Sequence, residues 1–554
     1  MKQSKLNLRL DNSRLCGNVE WGNEKGMVMV MAVMMLTVVL MLAMTAAVTS
    51  TAETRLSGHA YQESQAFHLA EGVTEYGLDA LQTLLQQDLD PTQNTLDHIP
   101  PPAIPGGYSM DEFVVAKDGP VIPEVITVGD YKGLNAYVQK FKVTCTISRA
   151  NERSRIARSL EHQFVPPFQF GVFYADDLEI FPGPHMIFEG RIHCNADIYI
   201  GAETSINVNS YLTAVGQIYH WRKDGGHVEP TGPVNIRDYW GDYQNMYQHG
   251  YWLDSEWPTW ETEAISRWGG MVKDSSHNVQ PLWLPLPQTH SNQIEIIKRG
   301  QITDPPELIE ARYYYKADIR VLDGVAYDSL GSVIDMGDAI DFDSFYDQRE
   351  ERTMYVTELD IEEMIDEGVI PSNGIIYISG SLLGDAVRIV NGTTLPADGL
   401  TVVSDNPIYI LGDYNRYPKR PAAVIGDAIT ILSDNWQDYK STWWYTNRVA
   451  CDTWVNACFM TGNTETDFGG GYNGGLENLP RFLEKWTGKW LHFRGSLIDL
   501  WFSEQAVGPW SYGYYYSAPN RDWGFDPDLL SPSNWPPGTP RCHTVQRGVW
   551  RQIG

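Results

Sequence analysis

The stretch MVMVMAVMMLTVVLMLAMTAAV, Met27 to Val48, decides how the rest of the chain is read. Its 22 residues include no charge, proline or glycine. At about 1.5 Å rise per residue, a helix of that length reaches roughly 30 Å, the thickness of a bilayer's hydrocarbon core. The pattern predicts a membrane-spanning helix. The small residues Ala43–Ala47 also fit a signal-peptide cleavage site, the alternative reading, but a signal peptide has a shorter apolar region. Before the span, Lys2, Lys5, Arg9, Arg14 and Lys25 outnumber Asp11, Glu20 and Glu24, which predicts a cytoplasmic amino terminus.

Beyond Val48 the helical spacing does not stop. Leu56, Ala60, Phe67, Ala70, Leu78, Leu81, Leu85 and Leu89 recur at mostly three- and four-residue steps, while Glu53, Arg55, Glu63, Glu75 and Asp79 fall mainly on the other side. Pro91 is expected to close the helix. The expectation is one rod over residues 27–90, on the order of 90 Å long, apolar all round at first and amphipathic afterwards. Gly58, Gly72 and Gly77 mark places for a bend or for close approach of another element.

Lys25-Gly26 directly before Met27 resembles a prepilin peptidase site. Glu53, Leu56, Ser57-Gly58 and the run Gln65-Ala66-Phe67-His68-Leu69-Ala70-Glu71-Gly72 resemble the amino-terminal domain of the PilX-type minor pilins, over about residues 22–80. That resemblance implies a cytoplasmic leader, residues 1–26, cleaved between Gly26 and Met27. It implies helix packing through Gly58, Phe67, Ala70, Glu71 and Gly72, with other pilins or pseudopilins and the inner-membrane pilus assembly machinery as partners. The protein would sit in the inner membrane as a single-pass protein, its carboxy-terminal part periplasmic or on the cell surface with a pilus. One departure matters: major pilins carry glutamate at the fifth mature position, and here that residue is Met31. A carboxylate in hydrocarbon is tolerable chiefly when neutralised by a partner. Its loss removes a docking pair and favours a minor, tip-located or membrane-resident component over a repeating shaft subunit.

The remainder is expected to be mainly β. Residues 91–107 read as a Pro-rich linker and 108–165 as a small pilin-like sheet packed on the rod. From Phe170, short apolar pairs recur every six to ten residues between Gly, Asn and Asp, and the signal returns after residue 373. Parallel strands stacking rung on rung suit this text, so the preferred architecture is a parallel β-helix (solenoid), with a β-sandwich as the alternative. Its two parts are placed at 166–219 and 371–500, with an aromatic and acidic insertion at 220–370 and an irregular Pro-rich cap at 501–554. Phe173-Tyr174, Ile180 to Pro184, His193-Cys194-Asn195 and Gly399 to Val402 also resemble an uncharacterised pilus-associated domain found behind such amino termini, to which no activity attaches.

A net charge of −29 with no basic stripe argues against nucleic acid as a partner. The cysteines, at 16, 145, 194, 451, 458 and 542, form no CxxC pair; Cys451 and Cys458 read either as a disulfide or as free thiols. Asp338, Asp341 and Asp343 supply oxygen ligands of the kind calcium takes, yet EF-hand spacing is missing and solvated loop acids are the preferred reading. Tyr239, Trp240, Tyr243, Trp252 and Trp257 offer rings for a surface polysaccharide or a host protein, or serve only as packing. Asp176 with Asp177, and Asp405 with Asp413, are the carboxylate pairs a carbohydrate-cleaving site would need, though turn-located acids are usually solvated. His185, His193, His220 and His227 lack metal-site spacing, and FGGGYNGG (468–475) lacks the ending of a phosphate loop. The expectation is a non-catalytic envelope protein without a cofactor; the alternative is a membrane-tethered polysaccharide-binding or polysaccharide-cleaving protein.

Overall fold

A computed structural model describes residues 25–150, 152–224, 230–466 and 471–553. The proposed leader up to residue 24 with Cys16, His227, and positions 468–470 of the glycine-rich run lie outside the described residues. The chain is mainly β with one long amino-terminal helix, Lys25–Leu85, long and apolar enough to cross a membrane.

From Met27 to Tyr61 that helix is exposed all round. Farther on, Ala66, Ala70, Val73, Leu78, Leu81 and Leu85 are buried on one face, because their three- to five-residue steps keep them on a single stripe. The helix ends at Leu85, five residues before the expected boundary at Asp90. Pro91 disfavours helical geometry at the residue before it, and the Asp88 carboxylate accepts from the Asp90 backbone N–H at 3.2 Å, so a turn replaces the last helical residues.

The stripe lies on an antiparallel sheet whose strand order is Ser109–Lys117, Asn135–Arg149, Glu152–Val165, Cys542–Ile553, with Ile122–Val125 paired beside the second. Leu78, Leu81 and Leu85 pack against Val115, Phe141, Val143 and Leu160; Ala66, Ala70 and Val73 pack against Cys145, Ile147 and Ile156. The fourth strand comes from the end of the chain and pairs with the third across nearly four hundred residues, with Cys542 opposite Val165. Everything from Pro166 to Arg541 is therefore inserted between two neighbouring strands of this small sheet.

The inserted unit is built on one wide sheet of parallel strands. Ile319, Ile376, Val402, Val424, Phe459, Leu497, Val172, Ile192, Leu212 and Val272 stand opposite one another in that spatial order, one per strand. All ten are buried in one core. The order shows how the chain runs. It enters mid-sheet at Phe170–Tyr174, advances to Val272–Lys273 at one end, and re-enters at Ile319–Leu322 at the other end. It then advances in the same direction until Trp490–Phe502 pairs with the entry strand. Between visits to the wide sheet the first part passes through two narrower sheets, one holding Leu178–Ile180, Ile198–Ile200 and Ile218–Tyr219, the other Met186–Phe188, Ile206–Val208 and Val234–Arg237. The second part alternates with a six-stranded sheet that runs from Ile340–Asp347 to Pro480–Phe482.

The link from one end to the other, residues 274–318, runs over the outer face of the wide sheet. Its Leu282, Leu284, Ile294, Ile296, Ile297, Ala311 and Tyr313 cover Phe173, Tyr377, Val403, Ile425, Met460 and Ile498. Both faces of the wide sheet are thus buried, so Ile375–Ser379 and Ala422–Gly426 are buried at every position and show no in-out alternation.

Residues 220–370 differ from the expected self-contained insertion. Val234–Arg237, Val272–Lys273, Ile319–Leu322 and Arg352–Asp360 each extend a parallel ladder, and helices Trp260–Trp268 and Ile361–Asp366 bury Trp260, Trp268, Ile361 and Met364 in the common core. At the two ends, Tyr243–Asn245, Val325–Tyr327 and Ile340–Asp347 pair antiparallel to the last parallel strands, which covers edges that would otherwise template further pairing. The tail likewise differs from an irregular cap: its prolines, at 509, 519, 527, 532, 536, 537 and 540, all fall outside Asn520–Phe525 and Cys542–Ile553, which are strands, because proline spares just the segments whose N–H groups are needed for ladders. Cys145, Cys194, Cys451, Cys458 and Cys542 are free thiols, so 451 and 458 are not bonded to each other.

Candidate functional site

The features that point to function begin at the stem. Lys25, Gly26 and Met27 open the helix, so the candidate processing junction lies in its first turn. Of the proposed packing residues, Ala70 is buried on the small sheet and Phe67 meets the Trp550 ring edge-on at 5.7 Å. Glu71 faces His68 at 3.5 Å along the same helix. Gly58 and Gly72 face open space. The close approach is instead made at Gly77, where a Cβ would stand 2.7 Å from Val143 Cγ1. Glu75 anchors the stem electrically: its carboxylate takes Arg158 and, at 3.0 Å, Arg547, one from each of the two strands that flank the insertion point.

The inserted unit shares an apolar core with the small sheet, where Ala136, Val138 and Val165 pack with Phe168, Phe170 and Phe173, and polar contacts add to it. Lys273 Nζ pairs with Asp130 at 3.0 Å, and Trp283 and His543 exchange backbone hydrogen bonds of 2.7 and 3.3 Å. Beside these lies an open cleft of about 830 Å³ bordered by Gln86, Leu89, Phe164, Leu286, Lys316 and Arg541. Burial, and then the Arg541 guanidinium, lowers the Lys316 amine to about 8.

The acidic candidates do not converge. Asp343 pairs with Arg388 at 3.1 Å, and Asp338 instead meets Glu363 and Glu367, whose carboxylate oxygens lie within 4.8 Å of one another and of its own. Asp341 joins neither group. Asp413 pairs with Arg416 at 2.7 Å and accepts from the Trp454 N–H, whereas Asp405 lies near Tyr377 and Arg299. Asp177 pairs with Lys223 at 2.8 Å. His193 is fully buried, bonded to Thr213 at 2.9 Å and to Asn195 at 3.1 Å, and burial lowers it to about 4, as suits a structural histidine.

A group the sequence did not single out is Glu179, Glu477 and Asp499 with Tyr174 and Tyr472, at the seam where the two parts of the stack meet. Asp499 stands opposite Tyr174 in register. Gly475, at φ +65°, lets the chain pass so closely that a Cβ there would be 2.7 Å from the Tyr472 hydroxyl and 3.1 Å from Glu477 Oε2. Among the described residues, both Glu477 oxygens and Glu179 Oε2 have no hydrogen-bond partner at ordinary distance and angle. Burial raises Glu179 and Glu477 to about 7 each and pushes Asp499 up as well. The two glutamates are 3 and 6% exposed, out of reach of a polymeric substrate. Alternation hides Glu179 and Asp499, since an acid in a strand normally reads as an exposed position, and Glu477 lies in a short 3-10 turn, Leu476–Asn478, that carries no periodic signal.

Of the aromatic candidates, Tyr239, Trp240 and Tyr243 face solvent. Trp252 is stacked on His220 at 5.1 Å and Trp257 on Tyr251 at 4.1 Å, so these two are occupied as packing.

No protein-family model matches the chain, and no curated protein does. The PilX-type resemblance therefore rests on the quoted residues alone. Among solved structures, the chain is similar to the crystal structure of the competence-associated pilin ComZ from Thermus thermophilus, at 10% identity over 89% of this chain and 97% of that one, with a TM-score of 0.28.

Proposed function

We propose that the chain is a non-catalytic minor pilin or pseudopilin-like envelope protein, anchored in the inner membrane by Met27–Val48 with its amino terminus in the cytoplasm. The observation that carries this reading is the helix: apolar and exposed all round over its first third, then continuous into a stem docked on a five-stranded antiparallel sheet. A helix whose apolar surface the other described residues leave uncovered needs lipid or neighbouring helices around it. In this reading prepilin peptidase cuts between Gly26 and Met27. The freed helix then packs with other pilins under the inner-membrane assembly machinery, and Met31 in place of an acid suits a minor or tip position.

The parallel strands of the inserted unit form a two-part β-helix in this reading, supported by the ten aligned core residues that pass unbroken across the seam. The unit acts by display and contact. Solvated or ion-paired candidate acids, and glutamates shut away from any polymer, support a role without catalysis.

The test is the terminal mass of the protein from cells that express a prepilin peptidase, with its distribution between sheared filaments and inner membrane. A mature terminus at Met27 is expected, lost in a Gly26→Glu variant. A terminus beyond Ala47, with the protein free in the medium, would end the proposal.

A further inference from the structure

Exposed rings gather a second time, away from Tyr239 and Trp240. Tyr439, Trp443 and Trp444 on one loop and Tyr512 and Tyr514 on another are each between 46 and 66% exposed. Four of them meet in two pairs linked through the adjacent residues Trp443 and Trp444: Tyr439 meets Trp443 edge-on at 5.7 Å, and Trp444 meets Tyr514, on the same loop as Tyr512, edge-on at 5.0 Å. Contiguous exposed rings of this kind mark contact surfaces, since scattered single apolar residues are the ordinary case.

The backbone beneath the rings is fastened. Buried Arg448 donates to the carbonyls of Ser441, Trp443, Leu483 and Tyr515, and so ties both loops to one guanidinium. Gln348 Nε2 donates to the same Ser441 and Trp443 carbonyls at 3.1 and 2.6 Å, and Ser441 Oγ accepts from the Tyr346 N–H at 3.1 Å. Rings with few rotatable bonds on a fixed backbone lose little entropy when they bind.

We propose that this platform binds a neutral polysaccharide chain. Across residues 437–447 and 510–516 the formal charges are Asp438 and Lys440, and Asp438 is bound by the Arg388 guanidinium at 2.8 and 2.9 Å. On a chain of net charge −29, an acidic polymer or a second copy meets repulsion, and a neutral polymer does not. The ring faces suit the C–H faces of sugar rings. Exposed Thr442, Thr446 and Asn447 and the phenol hydroxyls border the rings and match sugar hydroxyls with donors and acceptors.

Electrophoresis of the full chain in a polyoxyethylene detergent, through gels holding hydroxyethylcellulose, mixed-linkage β-glucan, galactomannan or alginate, tests this. Retardation by at least one neutral polymer and not by alginate is expected. The Trp443→Ala/Trp444→Ala double variant should weaken it tenfold or more, the Trp443→Tyr/Trp444→Tyr pair should retain most of it, and Tyr239→Ala should leave it unchanged. Both tryptophans are surface residues, and an unchanged melting temperature confirms that the variants fold. No retardation by any neutral polymer, equal retardation by alginate, or an undiminished effect in the double alanine variant overturns the proposal. So does hydroxyl-radical footprinting of the nanodisc-embedded protein without polymer, if Trp443 and Trp444 are protected by the bilayer.

Discussion

Gly72 and Gly77 are five residues apart on one helix and carry opposite expectations. A methyl at Gly77 collides with Val143 and Phe113, so Gly77→Ala should cost about 1–3 kcal/mol as overpacking. Gly72 faces open space, and Gly72→Ala should stabilise the helix by about 0.5–1 kcal/mol. Thermal melts of the two variants in detergent read both signs. Glu477 carries a pH dependence of defined direction. Its folded value of about 7 lies above the ordinary 4.5, so the folded state keeps a proton that the unfolded state releases. The associated stability is complete below about 4.5, drains away as pH rises, and is gone above about 7. His162 and His543, lowered by burial to about 3 and about 4, run the other way: their contribution is present above 6.5 and lost as pH falls. The two trends oppose each other, so the diagnostic is a difference. Glu477→Gln should gain on the native chain by on the order of 2 kcal/mol between pH 4.5 and pH 8 in paired denaturation curves.

Among the elements, the stem and the last strand depend on each other. Glu75→Gln leaves Arg158 and Arg547 facing each other without their shared carboxylate, and a loss of about 1–2 kcal/mol is expected in the same melts. Truncation after Arg541 removes Cys542–Ile553 and leaves Glu152–Val165 as an open edge, so faster proteolysis there and concentration-dependent aggregation should follow. The helix was legible because its period and length are local properties of Met27–Leu85. The short strands were legible too, from apolar pairs punctuated by Gly, Asn and Asp. What local text does not hold is pairing: nothing in Cys542–Ile553 names Glu152–Val165 as its neighbour, and nothing in 220–370 says that its strands extend ladders begun elsewhere. Of the site residues, Ala70 was readable from helical spacing, whereas the contact made by Gly77 needed the position of Val143. Glu179 and Glu477 became visible only when loop and seam came together, and the Trp443 platform only when exposure separated it from packed rings such as Trp252.

At the scale of the whole molecule, sequence order and spatial order are rotated with respect to each other. The stack runs from Ile319 through Leu497 to Val172 and on to Val272, and residues 274–318 are the covalent return between its two ends. The halves are held by the ladder between Phe170–Tyr174 and Trp490–Phe502 and by shared cores, independently of that return. A protease site inserted at Ile302, which is fully solvent-exposed, should therefore give a nicked protein that still elutes as one particle and retains its circular dichroism. Separation of two fragments without denaturant would contradict this order.

The entry and exit of the inserted unit, Val165 and Cys542, face each other across a single rung. Tension applied to the unit while the stem stays fixed in a membrane would arrive at that rung through both strands. Both connections lead into the same body, so such a load would draw Val165 and Cys542 in one direction together and would be shared with the apolar core around Ala136, Val138 and Val165 and with the Lys273–Asp130 pair. Drag on a captured polymer would thus enter the stem through two adjacent strands at once, where a unit hung from a single connection would load just one.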